Sequence, residues 1–244
     1  MWNPWCTFST YATKRLRVTS QSWDFYQMVL VIEEACSSNS IAYPPLPSAR
    51  RYTSIVNEEA DLSMLTTKIE TERLILRALV AEDAGDLFSI FSDNEVMKYW
   101  NTEPWVSVDE AKTFITNSAR AMDSNTEVIL GIYLKSTGQL LGKIILFSFA
   151  KESRRAEIGF GVSRDFWGKG IVLEAGSSLI EHAFHTLKLR RIEAEIDPDN
   201  IASGKTLERL GFVKEGYLRQ RWEVNGVVSD SAIYGLLAKP LKIS

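Results

Sequence analysis

Between Asp165 and Val172 the chain reads Asp165-Phe166-Trp167-Gly168-Lys169-Gly170-Ile171-Val172, a two-glycine turn leading from one apolar run into another. The chemistry such a turn can do is to hold an anion. Glycine lets the backbone approach a ligand closely, and the first N–H groups of a helix lack intrahelical partners and lie at its positive end. A phosphate would find its donors there. The preceding run, Arg155 to Val162, is short and apolar, and the following one repeats apolar residues at Val172, Leu179, Ala183 and Leu187, near the helical period. The turn therefore joins a strand to an amphipathic helix. Two glycines also serve tight turns of no chemical consequence. Leu173 replaces the third glycine of a dinucleotide fingerprint, and the Gly-Lys-Ser/Thr ending of a P-loop is missing.

Downstream the chain runs Arg191-Ile192-Glu193-Ala194-Glu195-Ile196-Asp197-Pro198-Asp199-Asn200-Ile201-Ala202-Ser203, then Thr206-Leu207-Glu208-Arg209-Leu210-Gly211-Phe212. With the glycine turn, these segments resemble the GNAT acetyltransferases, and within them the ribosomal-protein N-terminal acetyltransferases of the RimJ/RimL type. The resemblance extends from Ile69-Glu70-Thr71-Glu72-Arg73-Leu74-Ile75-Leu76-Arg77 to Asp230-Ser231-Ala232-Ile233-Tyr234-Gly235-Leu236-Leu237. It implies acetyl-CoA as cosubstrate, no metal, and acetyl transfer to a primary amine by direct attack on the thioester. A protein N-terminal α-amine is the expected acceptor, with a small amine (polyamine, amino acid or antibiotic) as the alternative. An α-amine has a reference pKa of about 8, so only modest base assistance is needed near neutrality. A catalytically silent CoA-binding or partner-binding module is the alternative from another class.

The resemblance also implies roles for particular residues. The backbone N–H groups of Trp167, Gly168, Lys169, Gly170, Ile171 and Val172 would bind the CoA pyrophosphate, and the Lys169 side chain is equally well read as a solvated turn lysine. Phe160, Gly161 and Val162 would pair with the pantetheine arm and offer an N–H to the thioester carbonyl. Asn200 matches a position that contacts that arm, and Ser203 a position near the thioester sulfur, where it could protonate or hydrogen-bond the leaving thiolate. Both are also ordinary helix-start residues. Many relatives carry a tyrosine acid where this chain has Leu207, so that role is excluded here. Glu157 is the candidate general base, unless Arg154 or Arg155 ties it up. Glu195 and Asp197 are weaker substitutes. Tyr99 and Trp100, in the loop ending at Trp105, and Arg219 and Trp222, in the terminal hairpin, would frame the acceptor. His182 and His185 join no motif and read as solvated helix residues.

The elements that must position these residues follow from periodicity and breakers. Leu74 to Arg77 reads as a first strand and Ala81 to Ser92 as a helix; Ser107 with Glu110 forms a capping box for a second helix reaching Ala121. A hairpin of Val128 to Leu134 and Leu140 to Phe149 precedes the strand that ends at Val162. Its alternation puts Glu157 and Ile158 on opposite faces, one toward the core and one toward the cleft. A helix from Gly170 to Leu187, a strand from Arg191 to Ile196 and a helix from Ile201 to Leu210 follow, the last ended by Gly211. Asn225-Gly226, a type I′ pair, separates strands Phe212 to Val224 and Val227 to Leu237. The implied fold class is α/β with a mixed sheet, the GNAT acyl-CoA N-acyltransferase fold: a twisted sheet with helices on both faces, splayed between the fourth and fifth strands.

A 45% share of hydrophobic residues and 24% of charged ones fits one globular domain of this length. The net charge of −3 argues against nucleic acid or an anionic membrane as partner, and no apolar run is long enough to span a bilayer. Cys6 and Cys36 form no disulfide framework or zinc pattern. The division expected is an extension over 1–63, poorly ordered or leader-like, and a catalytic domain over 64–244, because Met64 reads like a natural start. Any short helix around 24–35 is expected to be isolated from the core by the proline-rich stretch after it. The first 23 residues carry Lys14, Arg15 and Arg17 but no acid, a bias shared by organelle transit peptides. A cytoplasmic monomer or homodimer is the expectation, with an organelle as the alternative location.

Overall fold

The computed structural model describes residues 64–238. The expected extension, its helix near 24–35 and both cysteines lie outside the described residues. Among the described residues eight strands form one sheet: β1 (Lys68–Glu70), β2 (Leu74–Ala78), β3 (Val128–Leu134), β4 (Leu140–Ala150), β5 (Arg155–Val162), β6 (Arg191–Ile196), β7 (Val213–Val224) and β8 (Val227–Leu237). Their order is β1-β2-β3-β4-β5-β6-β8-β7, and only β5 and β6 run parallel. Among the described residues five α-helices accompany them: α1 (Ala84–Phe91), α2 (Asn94–Met97), α3 (Val108–Asp123), α4 (Ile171–His185) and α5 (Ile201–Arg209).

Alternation along the strands sorts the two faces. Lys143 pairs in register with Gly161, and both turn toward Phe91 at the end of α1. On the opposite face Ile196 meets α5 at Gly204, and Leu210 lies close against Gly176 of α4. The core is made of side chains such as Leu76, Leu130, Ile144 and Leu146 from the strands and Leu87, Phe91, Met122 and Leu179 from the helices.

The parallel pairing that joins the two halves of the sheet is short. It covers Arg155↔Arg191, Ala156↔Ile192 and Glu157↔Glu193, and then β5 and β6 part company. This is the expected splay between the fourth and fifth strands, counted from Leu74. Beyond Glu157 the β6-facing edge of β5 has no strand partner, so its backbone groups there are available to something else.

Most element bounds match the expectation, and the departures have local causes. Ala81–Asp83 forms a 3₁₀ turn before α1 rather than the first turn of one helix. The buried Asp83 carboxylate accepts from Val80 N at 2.7 Å and from the Tyr133 hydroxyl at 2.6 Å, which holds that tight turn in place. Strand β1 is too short and too charged to show alternation. Helix α2 is a single turn, capped by Asp93, whose side chain accepts from Glu95 N at 2.8 Å. His182 is a correction: rather than being solvated, it turns Nε2 inward with no hydrogen-bond partner among the described residues, and burial lowers its pKa.

Gly85 offers a simple test of α1. A Cβ added there meets nothing within 4 Å, and the glycine sits on the exposed face of a right-handed helix. Gly85→Ala is expected to stabilise the protein by about 0.5 kcal/mol in chemical denaturation, since the folded state accepts the methyl and the unfolded chain loses freedom.

Candidate functional site

After β5 a 3₁₀ turn, Arg164–Phe166, delivers the chain to the glycine turn. Gly168 (φ 70°) and Gly170 (φ 74°) both adopt the left-handed region, which explains why glycine occupies each. Trp167 ties the turn to the end of β5 by donating from Nε1 to Val162 O at 2.9 Å, and its backbone N–H, expected to face the phosphate, is instead taken by Arg164 O at 3.1 Å, which closes the 3₁₀ turn. Arg73 secures the other side: its guanidinium donates to Lys169 O at 3.1 Å and pairs with Glu174 of α4 at 2.6 Å. Among the described residues, none of the successive backbone N–H groups from Gly168 to Val172 finds a protein acceptor. They surround the N-terminus of α4, where the helix dipole is positive. The Lys169 ammonium lies 5.0 Å from the centre of the Phe166 ring.

A cavity of about 640 Å³ opens where β5 and β6 separate. Its walls bring together Tyr99 and Trp100, Phe160 of β5, Asn200 and Ser203 at the start of α5, and Trp222 of β7. Gly161 lies just behind this wall, so close to Trp100 that a Cβ would stand 2.8 Å from the indole, and Val162 is buried beside it. Arg219 is not on the cavity wall. It sits in a separate depression with Gln220 and Arg221, where β7 carries two extra residues between Leu218 and Trp222 relative to Ser231 and Ser229 of β8. Strand alternation gives no sign of such a bulge.

At the mouth of α5, Asn200 caps the helix by accepting from Ser203 N at 3.1 Å through Oδ1. That assignment leaves its amide NH₂ without a protein acceptor among the described residues. Across the gap Glu195, on the cavity wall, is engaged through one carboxylate oxygen, which accepts from Trp222 Nε1 at 2.6 Å, Ser231 Oγ at 2.7 Å and Arg221 Nε at 3.3 Å.

Glu157 occupies the last paired row before the splay and shares a face with Glu193 and Glu195. Ile158 and Gly159 line the cavity, and Glu157 stands one residue back from its wall. Arg155, the anticipated competitor, pairs with Glu193, which Arg191 also binds at 2.6 Å. Glu157 makes no ion pair among the described residues. Burial raises its pKa, and the nearby charges of Glu195 and Glu193 push the same way against a hydrogen bond from Ser148 and the charge of Arg155. A carboxylate whose ionised form is disfavoured is a better proton acceptor at neutral pH than a solvated one.

Other charges around the cavity are Lys98, Glu103, Asp197 and Asp230, an excess of acid that single residues in sequence do not reveal. Arg73 is likewise a contribution that only the fold exposes, although it stands in the opening Glu72-Arg73-Leu74 segment. Among the described residues, no group of His, Cys, Asp and Glu could hold a metal ion, and no helix is long and apolar enough to cross a membrane.

A sheet splayed beside a glycine turn, with unpaired N–H groups at the head of a long helix, defines an acyl-CoA-dependent transferase class. Residues 73–213 match the family model described as Acetyltransferase (GNAT) domain. The chain belongs to the GNAT acetyltransferases and is an acetyl-CoA-dependent N-acetyltransferase. It is 36% identical over 169 residues to the uncharacterized N-acetyltransferase YoaA of Bacillus subtilis, a match covering 69% of this chain and 96% of that one. The [Ribosomal protein uS5]-alanine N-acetyltransferase of Escherichia coli is 25% identical over 178 residues, covering 69% of this chain and 90% of its own. A GNAT-family acetyltransferase from Bacillus anthracis superposes with a TM-score of 0.64 at 26% identity, over 70% of this chain and 98% of that structure.

Proposed function

We propose that the enzyme acetylates a protein N-terminal α-amine. The observation that carries this reading is Glu157, a partly buried carboxylate without an ion-pair partner, at the point where the strands part. An α-amine is already partly neutral near pH 7, so a carboxylate of raised pKa, working through one water, is enough to remove its proton. The chain's similarity to the [Ribosomal protein uS5]-alanine N-acetyltransferase adds support.

In this reading the N–H groups of Gly168 to Val172 hold the CoA pyrophosphate, helped by the dipole of α4, and Lys169 contributes little beyond its backbone. The free β6-facing edge of β5 at Phe160 to Val162 pairs with the pantetheine arm and presents an N–H to the thioester oxygen. The Asn200 amide donates to the same arm. Ser203 donates a hydrogen bond to the departing thiolate. Tyr99, Trp100 and Trp222 flank the acceptor, and the acids Glu103, Asp197 and Asp230 attract its positive charge; Arg219 stands back from it. That acidic rim also favours a second reading, a polyamine acceptor.

An acceptor series read by release of free CoA separates these outcomes. Peptides beginning with Ser, Ala or Met are expected to turn over faster than spermidine or an aminoglycoside by at least about ten-fold in kcat/KM, equivalent to about 1.4 kcal/mol in the transition state. Faster spermidine acetylation establishes the second reading. Equal rates for every acceptor defeat the N-terminal assignment, and acetyl-CoA binding without turnover of any acceptor defeats the enzymatic roles given to Glu157 and Ser203.

A further inference from the structure

One buried cation has no part in the chemistry so far described. Lys143 lies on β4, in a strand otherwise apolar over Leu140 to Phe147 apart from Gly142, and only 6% of it is exposed. Burial alone pulls its pKa down, to about 7, with no carboxylate to offset it. Its surroundings are aromatic instead. The Lys143 Nζ stands 3.9 Å from the ring centre of Phe114, 4.2 Å from Phe91, 5.2 Å from Trp100 and 5.5 Å from Trp105. All four lie within the roughly 6 Å over which a ring face attracts a cation.

The rings also hold one another. Phe91 meets Trp100 edge-on at 5.5 Å and Trp105 at 5.3 Å, and Trp105 meets Phe114 at 5.7 Å. Trp105 N donates to Phe91 O at 3.0 Å. The loop between α2 and α3 is thereby fastened over β4 and β5, with Lys143 at the centre. Its outermost ring, Trp100, forms part of the cavity wall and rests on Gly161, the residue paired with Lys143 across the strands.

Charged groups on the surrounding elements are committed or exposed. Asp83 before α1 serves Val80 and Tyr133, and Asp86 on α1 is exposed. Asp93 pairs with Arg164, Lys98 lies over Tyr99, and Glu95 and Glu103 are exposed. At the start of α3, Asp109 pairs with Lys112 and Glu110 accepts from Val106 N and Ser107 N. Opposite Lys143 stand Gly131 on β3 and Gly161 on β5, neither charged, and Glu157 is two alternate residues further along β5.

We propose that Lys143 is a positioning residue for the acceptor: its ammonium, held by four rings, fixes Trp100 as the wall of the cavity against Gly161. The proposal rests on the reading of that cavity as the acceptor site. It requires no contact between Lys143 and the acceptor. Of the four rings Trp100 alone lines the cavity, so the amine is expected to feel the loss of the charge more than acetyl-CoA does.

The test compares Lys143→Met, which keeps length and loses charge, with Lys143→Arg, which keeps a permanent charge, and with Trp100→Ala. Lys143→Met is expected to raise the acceptor KM about ten-fold, corresponding to about 1.4 kcal/mol, while the acetyl-CoA KM changes less than about two-fold. Lys143→Arg should recover most of the loss. Between pH 6 and 8 the acceptor KM of the native enzyme should rise about three-fold relative to that of Lys143→Arg, as the lysine loses its proton and the arginine does not; the acceptor's own titration cancels in the ratio. If Lys143→Met does not fold, this ratio alone decides, and a flat ratio overturns the proposal. An unchanged acceptor KM in Lys143→Met, beside a raised one in Trp100→Ala, overturns it while leaving the acceptor site intact. If Trp100→Ala also leaves the acceptor KM unchanged, the cavity reading fails and the proposal with it.

Discussion

Glu157→Gln is expected to lower kcat by about 10²- to 10³-fold with the acetyl-CoA KM unchanged, the range typical for loss of a positioned general base. The substitution keeps shape and hydrogen-bonding capacity and removes only the ability to take a proton. Its pH profile carries the stronger signature. Because burial, joined by the charges of Glu195 and Glu193, raises the pKa of Glu157, the native acid limb of kcat/KM should lie above the ordinary carboxylate range. In Glu157→Gln that limb should vanish and only the titration of the amine remain. An acid limb that survives would assign the base elsewhere. Glu195 is the poorer substitute because three donors already occupy one of its oxygens.

The same substitution has a stability consequence of opposite sign. A carboxyl group whose folded-state pKa is raised favours folding most below its unfolded pKa, and that contribution is lost as pH rises through the folded pKa. At pH 7 the ionised Glu157 therefore costs stability, whereas at pH 4 the native residue is largely neutral. Glu157→Gln should melt above the native protein at pH 7, and the difference should shrink toward pH 4. Lost activity accompanied by gained stability marks a residue kept for chemistry. A lower melting temperature at both pH values would instead make Glu157 a structural group.

Sequence and structure agree where local signals are strong. The capping box of Ser107 and Glu110 starts α3, Asn225-Gly226 closes the last hairpin, and Gly211 takes φ 94° at the end of α5. Strands β3, β6 and β8 have the bounds expected of them because breakers or charged turns flank each. What local pattern does not carry is pairing between strands remote in sequence. The point at which β5 leaves β6 depends on register, and the bulge that draws Arg219 off the cavity depends on counting β7 against β8. The extended residues of the two strands read alike on either side of both features. Lys143 is a lone charge in an apolar strand, and its ring of aromatics comes from α1, α3 and the loop between α2 and α3, which only the fold assembles.

Gly142→Ala should give the largest loss of stability among single-methyl additions in the sheet, about 3 kcal/mol, near the upper end for overpacking. A Cβ at Gly142 would stand 2.1 Å from Gly161 O, 2.7 Å from Val162 Cα and 3.0 Å from Gly161 C. These are backbone atoms, so no rotamer change can relieve the contact. The strand itself has to move. Room is scarce because β4 is irregular beside Ile132 and Tyr133 of β3, and Ser163 N donates to Leu141 O at 2.8 Å, clasping the end of β5 against it. Gly159→Ala is the matched control on β5. There the new methyl would meet only the flexible side chains of Ile145, at 3.3 Å, and Phe147, at 3.5 Å, which can give way. Its cost should stay below about 1.5 kcal/mol, as for other small core adjustments. Thermal unfolding of the two variants side by side decides the matter: equal shifts would mean that the β4–β5 backbone is more compliant than this packing implies. If Gly161 and Val162 carry the pantetheine arm, Gly142→Ala should also raise the acetyl-CoA KM by about ten-fold, roughly 1.4 kcal/mol, which Glu157→Gln does not. One glycine on β4 would then govern cosubstrate binding through the backbone it leaves in place, and one glutamate on β5 the proton transfer, with the two effects separable in KM and kcat.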